Sequence, residues 1–242
     1  MTPRAAQGAG DKATGSPADM KSEHIVCLVA AAGRGIRFGR EMPKSFYPVD
    51  GRSLLARSVE RLGRCAAIRR LIVMVPPGWE ETAREQLRET VPTLAVEVLT
   101  GGETRQESVA IGLDAAVGAD IVLVHDAARP CVPLALIERV IEETARSGAA
   151  VPALQVTDTL GRIRDDELEA IVPRERVVGI QTPQGFRTEV LRRAFEEARA
   201  TQLRANVLWD VDAVPGVGHR ATQPHDEEGG PEEAAQIRCR QK

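Results

Sequence analysis

Two spacings of apolar residues divide this chain of 242 residues. Short continuous runs at 25–30, 71–75, 96–100, 121–124 and 149–153 end at glycine, proline or polar turns, which predicts buried strands rather than helices. Between them the apolar positions recur at helical spacing. Residues 53–63 set Leu54, Leu55, Val59 and Leu62 on one stripe, with Ser53 able to cap the first turn. Residues 80–90 read as a charged, solvent-facing helix, and 104–117 direct Val109, Ile111, Leu113 and Ala116 toward a core. A further helix at 134–147 closes on Gly148, which is free to take the left-handed cap conformation. Strands that are apolar on both faces, alternating with helices, predict an α/β domain on a mostly parallel sheet with helices on both sides.

The pattern changes from 155 to 184. Val156, Thr157, Thr159, Leu160 and Ile163 alternate, Asp165-Asp166-Glu167 makes a turn, and 171–180 is again apolar and β-branched. This predicts a projecting β-hairpin, or arm. A lone two-stranded ribbon is marginal in water, so the arm is expected to pack on something, most simply a second copy of the chain. Residues 1–22 are rich in Ala, Gly, Pro, Ser and charge, as in a disordered leader, and Met20 stands just before the first strand as an alternative start. N-terminal sequencing of the native protein tests that start; a protease-resistant leader beginning at Met1 would rule it out.

Composition narrows the function. The net charge of -3 leaves no basic footprint for nucleic acid, and 3% aromatic residues provide few stacking platforms. No apolar run approaches the ~20 residues of a membrane span. Cys27, Cys65, Cys131 and Cys239 lack C-x-x-C spacing, and His24, His125, His219 and His225 lack i, i+4 pairing, so a structural zinc site is not expected. Scattered thiols fit a reduced, cytoplasmic protein.

Candidate chemistry sits at the strand ends. After the first strand, 29–39 reads Val-Ala-Ala-Ala-Gly-Arg-Gly-Ile-Arg-Phe-Gly, followed by Pro43-Lys44. Small residues let the backbone close on a ligand, and successive exposed N–H groups form an anion site. Arg37 and Lys44 suit a polyphosphate whose charge must be stabilised during reaction. No Gly-x-x-x-x-Gly-Lys-Ser/Thr P-loop occurs, and the string misses the dinucleotide fingerprint because its third glycine falls one residue late at Gly39. It could also be a plain strand-to-loop turn. At another strand end, 125–130 reads His-Asp-Ala-Ala-Arg-Pro. Asp126 can hold Mg²⁺ on phosphate oxygens or simply cap a turn. Arg129 can grip a phosphate with its fork or make a surface ion pair. At 101–108 the string Gly-Gly-Glu-Thr-Arg-Gln-Glu-Ser opens a helix. Its N–H groups and Ser108 can read a base edge, while Thr104 and Glu107 have the spacing of a capping box.

Together the Ala-Ala-Gly loop with Arg37 and Pro43-Lys44, the Gly-Gly-x-x-Arg-x-x-Ser loop, His-Asp-Ala-Ala-Arg-Pro, Asp158-Thr159 and Thr182-Pro183-Gln184 resemble the 2-C-methyl-D-erythritol 4-phosphate cytidylyltransferases of the non-mevalonate isoprenoid pathway. The resemblance runs from about His24 to Glu197. It implies a Rossmann-like nucleotidyltransferase fold over 23–205, dimerised by the β-arm at about 155–184. It implies that Ala31, Ala32, Gly33, Arg37 and Lys44 hold the CTP phosphates, with Arg37 and Lys44 acting catalytically. Gly102, Glu103 and Ser108 would contact cytosine, and Asp126 the Mg²⁺. Arg129, Thr159 and Arg174 would bind the methylerythritol phosphate, Arg174 arriving on the partner subunit's arm. Glu103 stands where an aspartate is common in the family.

The pattern breaks at 206–242. The expected Asn-Ile-Lys-Val-Thr-x-Pro-Glu-Asp string, with its phosphate-binding lysine, is absent, and an irregular tail rich in Gly, Pro, His and acids replaces it. Set against the resemblance, the missing string implies a frameshift near Ala205, and the composition of what replaces it implies a poorly packed tail; an uninterrupted frame in independent isolates would rule out a sequencing error. Two other readings stay open. One is a cytidylyltransferase for another polyol phosphate, such as ribitol 5-phosphate. The other is an inactive nucleotide-binding homologue.

Overall fold

The computed structural model describes residues 23–33, 42–200, 217–222 and 235–241. The leader, Met20, Arg37 and Ala205 lie outside them. The elements in chain order are β1 (Ile25–Ala30), β2 (Pro48–Val49), β3 (Arg52–Ser53), α1 (Leu54–Gly63), β4 (Ile68–Val75), α2 (Glu80–Thr90), β5 (Ala95–Thr100), α3 (Arg105–Ala115), β6 (Ile121–Asp126), α4 (Leu134–Ser147), β7 (Ala149–Gln155), β8 (Leu160–Arg164), β9 (Glu167–Val172), β10 (Val178–Ile180), β11 (Gln184–Arg187), α5 (Thr188–Ala200), β12 (Val217–Thr222) and β13 (Ala235–Gln241).

A large sheet runs in the order β12-β13-β7-β11-β6-β1-β4-β5, with β10 also paired to β7. Strands β6, β1, β4 and β5 are parallel neighbours. Alternate side chains of these strands enter opposite layers because successive residues of a strand face opposite ways. Cys27, Val29, Leu71, Val73 and Leu123 pack with Leu55, Val59 and Leu62 of α1, Leu87 of α2, and Ile137 and Ile141 of α4. Val26, Leu28, Ile72, Met74, Val122 and Val124 pack with Val109 and Leu113 of α3 and with Leu191, Ala194 and Phe195 of α5. Both faces of the central strands are therefore dry, which is why β1 and β6 read as uninterrupted apolar runs.

Caps expected from the sequence form. Ser53 accepts the N–H of Ala56 at the start of α1. Thr104 and Glu107 make a reciprocal capping box at α3. Gly148, at φ 90°, closes α4.

Two features depart from a simple βα alternation. Strand β11 inserts between β6 and β7, antiparallel to both, so the strand at 149–155 does not lie against β6. The arm is also narrower than 155–184. Its hairpin comprises β8 and β9 alone, and the apolar stretch at 171–180 is divided between two sheets. Pro173 sits at the division. It lacks an N–H for the ladder, a turn of 3-10 helix follows at Arg174–Arg176, and β10 then joins β7.

Strands β10 and β11 lie on the same edge of β7; Gln181 still donates its N–H to Pro152 O of β7 at 2.8 Å, and Thr182 and Pro183 then leave the ladder. This detour carries Gln181 and Thr182 to the carboxyl end of β6. On the other edge, β13 pairs antiparallel with β7 and β12 pairs with β13, so part of the 206–242 tail extends the sheet.

Candidate active site

A cleft of about 610 Å³ opens at the carboxyl ends of β1 and β6, lined by Ala30–Gly33, Lys44, Ser45, Arg105, Ser108 and 126–129. Open α/β sheets bind ligands in this location, where the strands end and the chain leaves for helices on either side.

The loop after β1 is pinned where it begins to line the cleft. Ala31 donates its N–H to Met74 O at 2.8 Å, and its carbonyl accepts the hydroxyl of Ser45 at 2.9 Å. Any anion-binding N–H groups of this loop therefore begin after Ala31. Ser45 is buried and follows Lys44 in a single 3-10 turn, and Phe46 stacks on Trp79 with ring centroids 4.6 Å apart. Lys44 is exposed at the cleft while the two residues after it are anchored in the core. Its backbone is thus held, and its flexible side chain is free to reach a ligand.

The loop after β5 touches the first. A Cβ on Gly101 would come within 2.4 Å of the Ala32 Cβ and 2.9 Å of Ser108 Oγ, so only glycine lets the two loops meet. Ser108 accepts the N–H of Gly102 at 3.1 Å and donates to Thr104 O at 2.9 Å. Glu107 takes the N–H groups of Glu103 at 2.8 Å and Thr104 at 3.1 Å. The backbone donors of Gly102 and Glu103, which the sequence offered for reading a base, are bonded within the loop. Ser108 lines the cleft, whereas Gly102 and Glu103 stand beside it.

Among the described residues Asp126 is the one carboxylate in the lining, set against three cations, Lys44, Arg105 and Arg129. Arg105 Nε binds Asp126 Oδ1 at 2.8 Å, and Arg129 Nε binds Oδ2 at 3.4 Å. Arg105 also reaches the buried Gln184 at 3.2 Å, and Arg129 bonds Gln181. Each carboxylate oxygen retains further acceptor capacity beside its guanidinium. Asp126 therefore fits a magnesium ion of the kind held by one carboxylate and the phosphate oxygens of a substrate. No group of three or more His, Cys, Asp or Glu side chains suited to a metal occurs among the described residues.

Arg105, His125, Thr182 and Gln184 stand in motifs noted in the sequence, but no role could be read for them there, and Gln181 stands in none. One signal for Arg105 was available. It occupies the first position of α3, where a cation opposes the helix dipole and calls for a nearby acid. Thr159 and Arg174 do not line the cleft of their own chain.

His125 is fully buried beneath the turn, and burial pushes its imidazole pKa down to about 4. The unfolded chain takes up a proton near pH 6.5, so acid favours unfolding. The stability contribution is complete above about pH 6.5 and is lost as pH falls toward 4, amounting to about 3 kcal/mol. Urea titrations at stepped pH should give a flatter acid limb for His125→Gln than for the wild type; parallel limbs would contradict the assignment.

A parallel α/β core with a cationic cleft at its strand ends defines a protein built to bind a phosphorylated ligand. The sequence matches the family described as IspD, 2-C-methyl-D-erythritol 4-phosphate cytidylyltransferase, over residues 25–223, and the chain belongs to that family. The 2-C-methyl-D-erythritol 4-phosphate cytidylyltransferase of Deinococcus radiodurans is 44% identical over 215 residues, covering 85% of this chain and 87% of the relative. The enzyme of the same name from Rhodococcus jostii is 43% identical over 182 residues, 72% of this chain and 76% of the relative. Among solved structures, that of the Thermus thermophilus cytidylyltransferase aligns with a TM-score of 0.61 at 39% identity, over 78% of this chain and 85% of that one. The 4-diphosphocytidyl-2C-methyl-D-erythritol synthase of Anaerococcus prevotii aligns with a TM-score of 0.69 at 25% identity, over 81% and 86%. The family match extends beyond Ala205 into the tail.

Proposed function

We propose that this chain transfers the cytidylyl group of CTP to 2-C-methyl-D-erythritol 4-phosphate, releasing pyrophosphate and forming the CDP-linked polyol for isoprenoid precursor synthesis. Family membership supports this reading. The observation that carries it is the convergence of Ala32, Gly33, Lys44, Ser108, Asp126 and Arg129 on one cleft.

The chemistry needs little from the protein beyond position and charge. The acceptor phosphate attacks the α-phosphorus of CTP, and pyrophosphate leaves in line. A phosphate monoester has a second pKa near ~6, so the nucleophile is already anionic at neutral pH and no general base is required. Lys44 and Arg37 neutralise charge that builds on the triphosphate. Ala31, Ala32 and Gly33 shape the phosphate loop, and Gly102, Glu103 and Ser108 form the side toward the base. With the N–H groups of Gly102 and Glu103 bonded internally, base reading falls to other groups of that loop. Asp126 would hold the Mg²⁺ ion, which would add charge neutralisation at the phosphates.

Arg129 orients the acceptor phosphate within the chain, and Thr159 and Arg174 reach the site of a partner in a homodimer. The arm supports this arrangement. Ile163, Leu168 and Ile171 are 69%, 65% and 58% exposed on a hairpin whose two strands, among the described residues, pair only with each other. Sedimentation should give a dimer, and Ile163→Glu with Leu168→Glu should give monomers with acceptor turnover reduced by roughly tenfold or more. A fully active monomer would remove the arm from the site.

We take residues 23–205 as the catalytic unit, with the tail contributing β13 at the sheet edge. No helix among the described residues is long and apolar enough to cross a membrane, and Cys27, Cys65 and Cys131 are free thiols, which supports a cytoplasmic location. Fractionation of native cells tests that location. Pyrophosphate release with CTP and methylerythritol phosphate, compared with ribitol 5-phosphate and with no acceptor, tests the reaction. Release with ribitol 5-phosphate alone would reassign the acceptor, and no release would make the chain a nucleotide-binding homologue.

A further inference from the structure

We infer that His125 is a positioning residue, whose imidazole locks the Asp126–Arg129 turn so that both side chains face the cleft. The imidazole is completely buried and does not line the cleft, so it acts through other residues. Its Nε2 lies 3.1 Å from the carbonyl oxygen of Arg129, and its Nδ1 lies 3.1 Å from the Thr182 hydroxyl.

The carbonyl decides the direction of the whole chain of bonds. A carbonyl oxygen only accepts, so Nε2 carries the proton and donates it. Nδ1 of the neutral ring is then an acceptor, and the Thr182 hydroxyl donates to it. The Thr182 oxygen is left to accept the N–H of Asp126, which lies 3.4 Å away. One imidazole thus ties the first residue of the turn, through Thr182, to the last residue through its carbonyl. The turn itself closes with the N–H of Arg129 on Asp126 O at 3.0 Å.

The clamp also joins two parts of the fold. Thr182 belongs to the detour between β10 and β11, next to Gln181, which bonds the Arg129 guanidinium. His125 therefore registers the end of β6 against that detour, and with it the spacing between the carboxylate and the fork that would grip an acceptor phosphate. No surface group can substitute, because the position is closed to water and both ring nitrogens are engaged by fixed partners.

Amide replacements divide the two bonds. A glutamine can extend its Nε2 donor toward the Arg129 carbonyl, whereas asparagine can present an acceptor to Thr182 but falls short of that carbonyl. Misplacement of a reacting group by about 1 Å costs roughly 10²-fold, which sets the scale. The expected order of kcat/KM for the acceptor phosphate is wild type, then His125→Gln, then His125→Asn. The asparagine variant should fall by roughly 10- to 100-fold, with KM for CTP within about twofold of wild type. Equal losses toward CTP and acceptor, or no benefit of glutamine over asparagine, would overturn the role.

The kinetic test rests on the cytidylyl-transfer reading, so a second measurement on the wild-type protein needs no turnover. Imidazole ¹⁵N spectra should give one buried ring with its proton on Nε2 and slow solvent exchange. A proton on Nδ1, or a ring averaging between tautomers, would overturn the clamp even if the variants fail to fold. An inactive wild type with the expected spectrum would remove the reaction and keep the clamp.

Discussion

Lys44→Ala should lower kcat by ~10²-fold or more while leaving the melting curve unchanged, the scale of losing one preorganised donor from an anion site. The two halves of that statement have separate physical causes. The Lys44 side chain is exposed at the cleft, so its removal opens no cavity and leaves no buried partner unsatisfied. The local backbone is held by Pro43, by the Ser45 bond to Ala31 and by Phe46 on Trp79, none of which needs the ammonium. Charge developing on a leaving pyrophosphate has to be met by cations already in place, and Lys44 sits on a turn that is rigid before substrate arrives. Arginine at this position should restore only part of the rate, because a planar fork does not reproduce a compact ammonium. Near-normal turnover in the alanine variant would remove Lys44 from catalysis.

Asp126→Asn should reduce kcat/KM by ~10²-fold or more and raise the Mg²⁺ concentration needed for half-maximal rate at least about tenfold. Asparagine is close in shape but keeps one acceptor where the carboxylate has two. Its NH₂ group would point at Arg105 or Arg129, setting donor against donor. Both guanidinia lose their shared counterion, and a divalent cation loses its anionic ligand. The stability cost should stay within about 2 kcal/mol, since the carboxylate is partly solvated and such pairs are screened. Initial rates over a Mg²⁺ titration check this. An unchanged Mg²⁺ requirement would place the metal on another residue.

Regular elements were legible where one chain segment contains its own explanation. β1 and α4 fall where the apolar spacing put them and α2 where the charged run put it, and the caps at Ser53, Thr104 and Gly148 follow from local donors, acceptors and φ. The run at 171–180 misled because β-branched residues favour strands in any sheet. Only Pro173 hinted that the strand breaks there and that its second half pairs with β7. The insertion of β11 between β6 and β7 left no trace in periodicity, because an antiparallel partner reads the same as a parallel one.

The site divides in the same way. Glycine loops, Lys44 and the 125–130 string could be read as chemistry because each is compact in sequence and sits at a strand end. By itself the sequence determined an α/β domain through its apolar spacing and the family through its resemblance, and it put a candidate anion loop at the end of β1. Tertiary structure alone decided which donors remain open to a ligand. The N–H of Ala31 goes to β4, those of Gly102 and Glu103 go to Ser108 and Glu107, and Asp126 gathers Arg105 from 21 residues away. It also brought Thr182 onto His125, 57 residues apart, by carrying the β10–β11 detour to the end of β6. Local geometry follows from neighbouring residues, but a hydrogen-bond partner is chosen by whatever the packed sheet delivers, and spacing along the chain does not encode that delivery.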